Sequence, residues 1–498
     1  MLIRAIYLTA ILCASQPIMA EVHLTNLLSD HAVLQRESAI HIWGWANPTE
    51  VVTVRFHGQT VVTRGDENGT WEVWLSPEPA GGPFTLSVFG NATASAVERK
   101  DILVGDVWIA SGQSNMEFPL KGFTGAPLKD GEKEIAAANQ PNLRLLIQKR
   151  RTAVVPSSGA EGEWMACTPE TAKDFSAVAY FFGREISSKE HVPVGLIDST
   201  WGGTPAHAWI SDEGIARASL QSVLTESGKL AREQGRANDL RELYANQDAE
   251  LKAAGNPVPA RSRILNDHGG AWIPGALYNG MIAPYTKYTI KGVIWYQGET
   301  DASPERAPNY ERVFTALIKD WRRQWAQGEF PFLFAQISSF GNGADWGQLR
   351  DAQRRTLELR NTGMAVTLDV GMAGNIHPPD KQTVAARLAQ IARGLVYGEK
   401  IETASPTFTH ATVEGNSMRA WFSHADGLTT GREALNGFEV AGDDHKFVPA
   451  TGVIEKNTVL VGAPTVAAPK YVRYGWSASV KNWFYNNSGL PAGSFTSE

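Results

Sequence analysis

Residues 108–118 read WIASGQSNMEF, and the fold turns on how that stretch is divided. Together with the residues before it, "ILVGDVWIA" (102–110) is a largely apolar run of strand type. It ends at a turn carrying Gly112, Gln113, Ser114 and Asn115, after which apolar residues return at Met116 and Phe118. In an open parallel sheet, ligands gather beyond the carboxyl ends of the strands, so a serine in this turn stands where a substrate would lie. A serine hydroxyl is a poor nucleophile until a neighbouring base takes its proton, and most turn serines are structural. The turn is also not a GxSxG elbow, because Met116 occupies the last glycine position.

Further out, the chain alternates such runs with amphipathic helices. "VPVGLIDS" (192–199), "YTIKGVIWYQ" (288–297), "PFLFAQIS" (331–338) and "MAVTLDV" (364–370) read as further strands. Phe175, Val178, Ala179, Phe182 and Ile186 share one helical face, as do Tyr310, Val313, Phe314, Leu317 and Trp321, and both stripes read as core. Residues 101–400 are therefore expected to form a doubly wound α/β domain. Before them, residues 21–100 carry short alternating runs such as "AIHIWGW" and "TWEVWL" between turn clusters, the pattern of a small β-sandwich. After them, residues 401–498 return to β texture with "PTFTHATVEG", "SMRAWFSH" and "YVRYGWSA". A polar segment at about 211–263 reads as a helical insertion over one end of the sheet or as a solvated helical hairpin.

Three more strand ends carry groups that an ester-cleaving site needs. "TWGGTPAHAW" (200–209) offers Gly202 and Gly203, whose backbone N–H groups can approach a substrate oxygen with no side chain in the way. "QGETDA" (297–302) offers the Gln297 carboxamide with Glu299 beside it, and "GMAGNIHPPDKQT" (371–383) holds His377 in a loop stiffened by prolines. Each has a bland reading: a tight turn, a solvated amide, a surface histidine. Serine, glycine N–H, carboxamide and histidine at four strand ends together point to a hydrolase.

The composition narrows the alternatives. With 498 residues, 43% of them hydrophobic, the chain can build two or three cores. Its 46 basic and 52 acidic residues give a net charge of −6, leaving no basic excess for a phosphate backbone, so nucleic acid is not expected as a partner. The eleven histidines are scattered without an HExxH pattern, and no metal or organic cofactor is expected. Arg4, the apolar run "AIYLTAILCA" and "PIMA" ending at Ala20 read as an export signal, too short for a membrane anchor. Its removal takes Cys13 and leaves Cys167 unpaired, which suits a bacterial periplasm or the cell exterior.

"GQSNME" (112–117), "STWGGTPAHAW" (199–209), "YNGMIAPYTKYTIKGVIWYQGET" (278–300) and "IHPPDKQTVAARLAQIARGLVYGEK" (376–400) resemble the sialate O-acetylesterases, a branch of the SGNH-type carbohydrate esterases. The resemblance runs from about Leu24 to Phe495. It implies an SGNH-hydrolase-like α/β domain and an O-acetylated sugar as substrate. Ser114 would be the nucleophile and His377 its base, with the Ser114 N–H, Gly202 or Gly203 and Gln297 forming the oxyanion hole. Where many SGNH enzymes carry an aspartate two or three residues before the histidine, this chain has Gly374 and Asn375. The third member is therefore sought in Asp369, with Glu299 or a backbone carbonyl as alternatives; Asp380 reads better as a helix N-cap. Gln113, Asn115, Glu299, Trp201 and Arg350 are the candidate substrate contacts, Arg350 for a sialic acid carboxylate. Trp209 and Trp295 read as core, although either could stack on a sugar. Acetylated xylan or xyloglucan is the alternative substrate, and a non-catalytic carbohydrate-binding protein the alternative class.

Overall fold

The computed structural model describes residues 22–91, 96–223, 270–341, 345–430, 435–481 and 483–498. The export signal expected at 1–20 and most of the helical insertion expected at 211–263 lie outside the described residues. Of the insertion, Asp212–Arg217 is helical and capped by Ser211, whose Oγ accepts from the Gly214 N–H.

The central sheet is mixed α/β in the expected sense. Its strands are β1 (Val97–Gly112), β2 (Gln140–Ile147), β3 (Trp164–Cys167), β4 (Val194–Thr200), β5 (Gly292–Tyr296), β6 (Phe332–Ala335) and β7 (Thr362–Ala365). They lie in the order β3-β2-β4-β1-β5-β6-β7, parallel throughout except for β3. The chain leaves β1 toward β2 on one side, while β5 continues toward β6 on the other. The reversal makes a crevice at the carboxyl ends of β1 and β5. β2 and β3 were not among the expected strands. Leu143, Leu145 and Leu146 of β2 are all buried, so the strand lacks the two-fold alternation that marks a half-exposed one.

Four helices matter for the site: α1 (Ser114–Glu117), α2 (Ala177–Glu190), α3 (Tyr310–Trp325) and α4 (Trp346–Arg355). A fifth, α5 (Lys381–Leu395), follows the histidine loop, and the Asp380 carboxylate caps it by accepting the Thr383 N–H, as read from sequence. Both aromatic stripes face inward: Phe182 and Ile186 of α2 and Phe314, Leu317 and Trp321 of α3 are fully buried. Each such side chain contributes about 1.5–3 kcal/mol on leaving water.

β1 does double duty. Its first half pairs antiparallel with Gly81–Gly90 of the N-terminal β region, and its second half pairs parallel with β4 and β5. The boundary expected at residue 100 thus falls inside a continuous strand. A separate three-stranded sheet, His23–Leu24, Ile40–Trp45 and Thr70–Leu75, completes that region. At the other end, seven strands from Thr407 to Thr496 form one antiparallel sheet among the described residues.

Candidate active site

β1 ends where the chain must pass very close to β5. Gly112 sits at φ +131°, and a Cβ there would lie 2.2 Å from the Tyr296 carbonyl oxygen. Only glycine fits, and the turn it permits starts α1 at Ser114. The His377 loop reaches the same spot from β7. His377 Nε2 lies 2.8 Å from Ser114 Oγ, bridging 263 positions of sequence. For the hydroxyl to donate to Nε2, the neutral ring carries its proton on Nδ1. The loop is held from within, because the His377 N–H donates to the Asn375 side-chain oxygen (2.9 Å). Phe118 and Phe123 pack against the imidazole, with ring centroids at 6.3 and 5.3 Å. Burial first, and then the positive charge of Lys381, push His377 down to about 4, so the ring is neutral and able to accept a proton at ordinary pH.

The expected acid is not there. Asp369 makes a two-pronged ion pair with Arg387, at 2.6 Å on both arms, and the guanidinium that binds it holds it away from His377. Glu299 turns to Asn115 instead. Among the described residues the imidazole has one hydrogen-bond partner, Ser114.

The oxyanion donors also need correction. The Gln297 amide is fully buried. Its nitrogen donates to the Thr204 carbonyl (3.1 Å) and to Asp301 (2.6 Å), while its oxygen accepts from the Tyr310 hydroxyl (2.8 Å). With a carboxylate facing the nitrogen the amide cannot be flipped, and both of its N–H bonds are spent. Gly202 is likewise committed, its N–H donating to Glu117 Oε2 at 2.6 Å. Glu117 is ion-paired in turn with Arg150, whose guanidinium lies 5.6 Å over the Trp201 ring. The N–H groups of Ser114 and Gly203 have no acceptor among the described residues. Gly203 holds φ +71°, a backbone that favours glycine.

Most of the nominated substrate contacts are internal. Gln113 is buried and accepts the Thr300 N–H (3.2 Å). Asn115 and Glu299 are buried and bonded to each other. Arg350 is fully buried in α4 and donates to the carbonyls of Ile337, Ser338, Gly475, Ser477 and Ala478, joining the loop after β6 to the loop that follows strand Tyr471–Tyr474 of the C-terminal sheet. Burial pushes its guanidinium down to about 9, and no surface remains on it for a sugar carboxylate. Trp209 and Trp295 are fully buried, while Trp201 keeps some exposed surface.

Three comparisons bear on this arrangement. A family model described as carbohydrate esterase, sialic acid-specific acetylesterase, matches residues 266–392. Human sialate O-acetylesterase is 32% identical over 80% of this chain and 76% of its own, and the rat protein 29% identical over 95% and 93%. The crystal structure of a carbohydrate acetylesterase from Xanthomonas citri superposes with a TM-score of 0.82 at 35% identity, covering 96% of this chain and 99% of that one. The chain belongs to the sialate O-acetylesterase family of carbohydrate esterases. It is a carboxylic ester hydrolase.

In this esterase the sequence reading missed Glu117, Arg150 and Lys381. Lys381 is the first residue of α5 and fully buried, and burial pushes its ammonium down to about 7. A lysine in the first helical turn opposes the helix dipole, and that was the available clue. Among the described residues no group of three or more His, Cys, Asp or Glu side chains could hold a metal ion, and no helix is long and apolar enough to cross a membrane.

Proposed function

We propose that the esterase removes O-acetyl groups from carbohydrates, O-acetylated sialic acids foremost, through an acetyl-serine intermediate. The observation that carries this reading is the 2.8 Å contact between His377 Nε2 and Ser114 Oγ at a sheet crevice. His377 takes the hydroxyl proton as Ser114 Oγ attacks the acetyl carbonyl. The Ser114 and Gly203 N–H groups face the tetrahedral oxyanion, and the sugar hydroxyl leaves with the proton from His377. Water, deprotonated by the same ring, then attacks the acetyl-serine, and acetate departs as the acyl–Oγ bond breaks and Ser114 Oγ takes that proton back from His377. His377 acts here as half of a dyad, kept neutral by its surroundings rather than oriented by an acid.

A cavity of about 440 Å³ adjoins the pair through Phe123, which packs on the His377 ring, and its lining also includes Glu117, Lys149 and Arg150. Its cations Lys121, Lys149 and Arg150 are set against the acids Glu117, Asp174 and Asp198, with Lys121 paired to Asp174 and Arg150 to Glu117. A carboxylated sugar would be met by Lys149 and by Arg150 exchanging Glu117 for the substrate, above the Trp201 ring. The internal position of Arg350 favours a second reading, acetylated xylan or xyloglucan oligosaccharides, because it removes the arginine nominated for the carboxylate. Acetate release from O-acetylated sialic acids and from acetylated plant oligosaccharides, run beside Arg150→Ala, separates the two. Under the first reading the variant loses sialate activity selectively, and under the second it does not. Export rests on the sequence pattern of residues 1–20 alone. The two β regions are read as supports for the central domain, and the buried Arg350 contacts favour that role.

A further inference from the structure

The catalytic reading leaves unexplained why a charged cluster is buried directly behind the Ser114 turn. Asn115 is fully buried, and its Nδ2 donates both to Glu299 Oε1 (2.5 Å) and to the Ile376 carbonyl (3.0 Å), the residue before His377. Its Oδ1 accepts from Lys381 Nζ at 2.5 Å. One carboxamide therefore ties together the turn after β1, the turn after β5, the histidine loop at Ile376 and the start of α5.

We propose that Asn115, Lys381 and Glu299 form a buried brace that positions the His377 loop against Ser114, in the place of an orienting acid, since no acid bonds His377 among the described residues. The inference rests on the Ser114–His377 reading. These are positioning residues: they touch neither substrate nor reacting atoms, and they act through Ile376 and the start of α5. An amide makes both kinds of bond at once, donating to a carbonyl and a carboxylate while accepting from an ammonium, which no carboxylate or hydroxyl in its place could do.

The brace also carries charge. Lys381 is faced by Glu299 from the turn after β5, by Asp380 at its own helix cap and by His377, with the rings of Phe118 and Tyr296 at 4.8 and 5.8 Å. Asp380 is itself paired with Lys129, and Arg350 acts on Glu299 from behind. An ammonium beside an imidazole disfavours the imidazolium, opposite in sign to a triad aspartate. Removing the ammonium should therefore raise the pH at which His377 loses its basic form, which a purely structural residue would not do.

The test is the pH profile of kcat/KM on an acetyl ester for the full chain and for Lys381→Gln, which keeps a donor for Asn115 but removes the charge. Lys381→Met and Asn115→Ala, which also break the brace, are measured beside it. The expected results are an acid limb displaced toward neutral pH in both Lys381 variants, and a kcat lowered by about tenfold or more with little change in KM in Lys381→Met and Asn115→Ala. Superimposable acid limbs for wild type and Lys381→Gln would overturn the proposal, as would a fall in rate that merely tracks a fall in melting temperature. Should Lys381→Met fail to fold, Lys381→Gln alone decides. Ser114→Ala separates the two levels: if it keeps its activity the serine reading fails, whereas an inactive Ser114→Ala with unmoved limbs sinks only the brace.

Discussion

His377 meets Ser114 with no carboxylate behind it among the described residues, and burial beside Lys381 pushes its imidazole down to about 4. The basic form is lost as pH falls through that value. The acid limb of kcat/KM is therefore expected near pH 4 rather than near the ordinary histidine value of about 6.5, and a limb at the ordinary value contradicts the buried setting. Gln297 gives a second expectation at this scale. Among the described residues, truncation to alanine leaves the buried Asp301 carboxylate with the Ala206 N–H and Arg306 only, and the buried Tyr310 hydroxyl with the backbone carbonyl of residue 297 only. It should lower unfolding free energy by about 1–3 kcal/mol in a denaturant titration. Unchanged stability with a rate loss of about 10²–10³ would return Gln297 to the oxyanion hole. Ser114 and His377 were legible because their chemistry and their strand-end positions agree. Gln113, Asn115 and Glu299 were misread because a polar residue in a site loop looks the same in sequence whether it faces the substrate or the interior, and only burial separates the two.

The elements were legible where periodicity is strong. α2 and α3 lie on their apolar stripes and α5 starts after its Asp380 cap, whereas β2, inaccessible along its leucine run, carries no alternation to read. Arg350 shows what no pattern within one element reveals, since three of its five partners lie more than 120 positions away, in the loop that follows strand Tyr471–Tyr474 of the C-terminal sheet. Arg350→Met leaves five carbonyls short of a charged donor, three of them in fully buried contacts. It is expected to destabilise the fold by about 3 kcal/mol or more while KM for a small acetyl ester stays unchanged. Chemical denaturation with parallel kinetics checks this, and a raised KM with normal stability would restore Arg350 to the substrate.

At the scale of the whole molecule, β1 belongs to both the N-terminal β region and the central sheet, so the texture change near residue 100 marks a change of partners within one strand. A fragment beginning at residue 101 loses the first four residues of β1 together with the Gly81–Gly90 and Val33–Gln35 strands that pair with its first half, and should yield no cooperatively melting protein by circular dichroism. A sharp melt from that fragment would show the central domain to be independent. The molecule's central achievement is to bring two groups 263 positions apart to within 2.8 Å. The most direct test is to react the protein with a slow acetyl ester, quench in acid and map the peptides by mass spectrometry. The account predicts an acetyl group on Ser114, absent in Ser114→Ala and greatly slowed to form in His377→Ala; an active Ser114→Ala with no acetylated serine would contradict it.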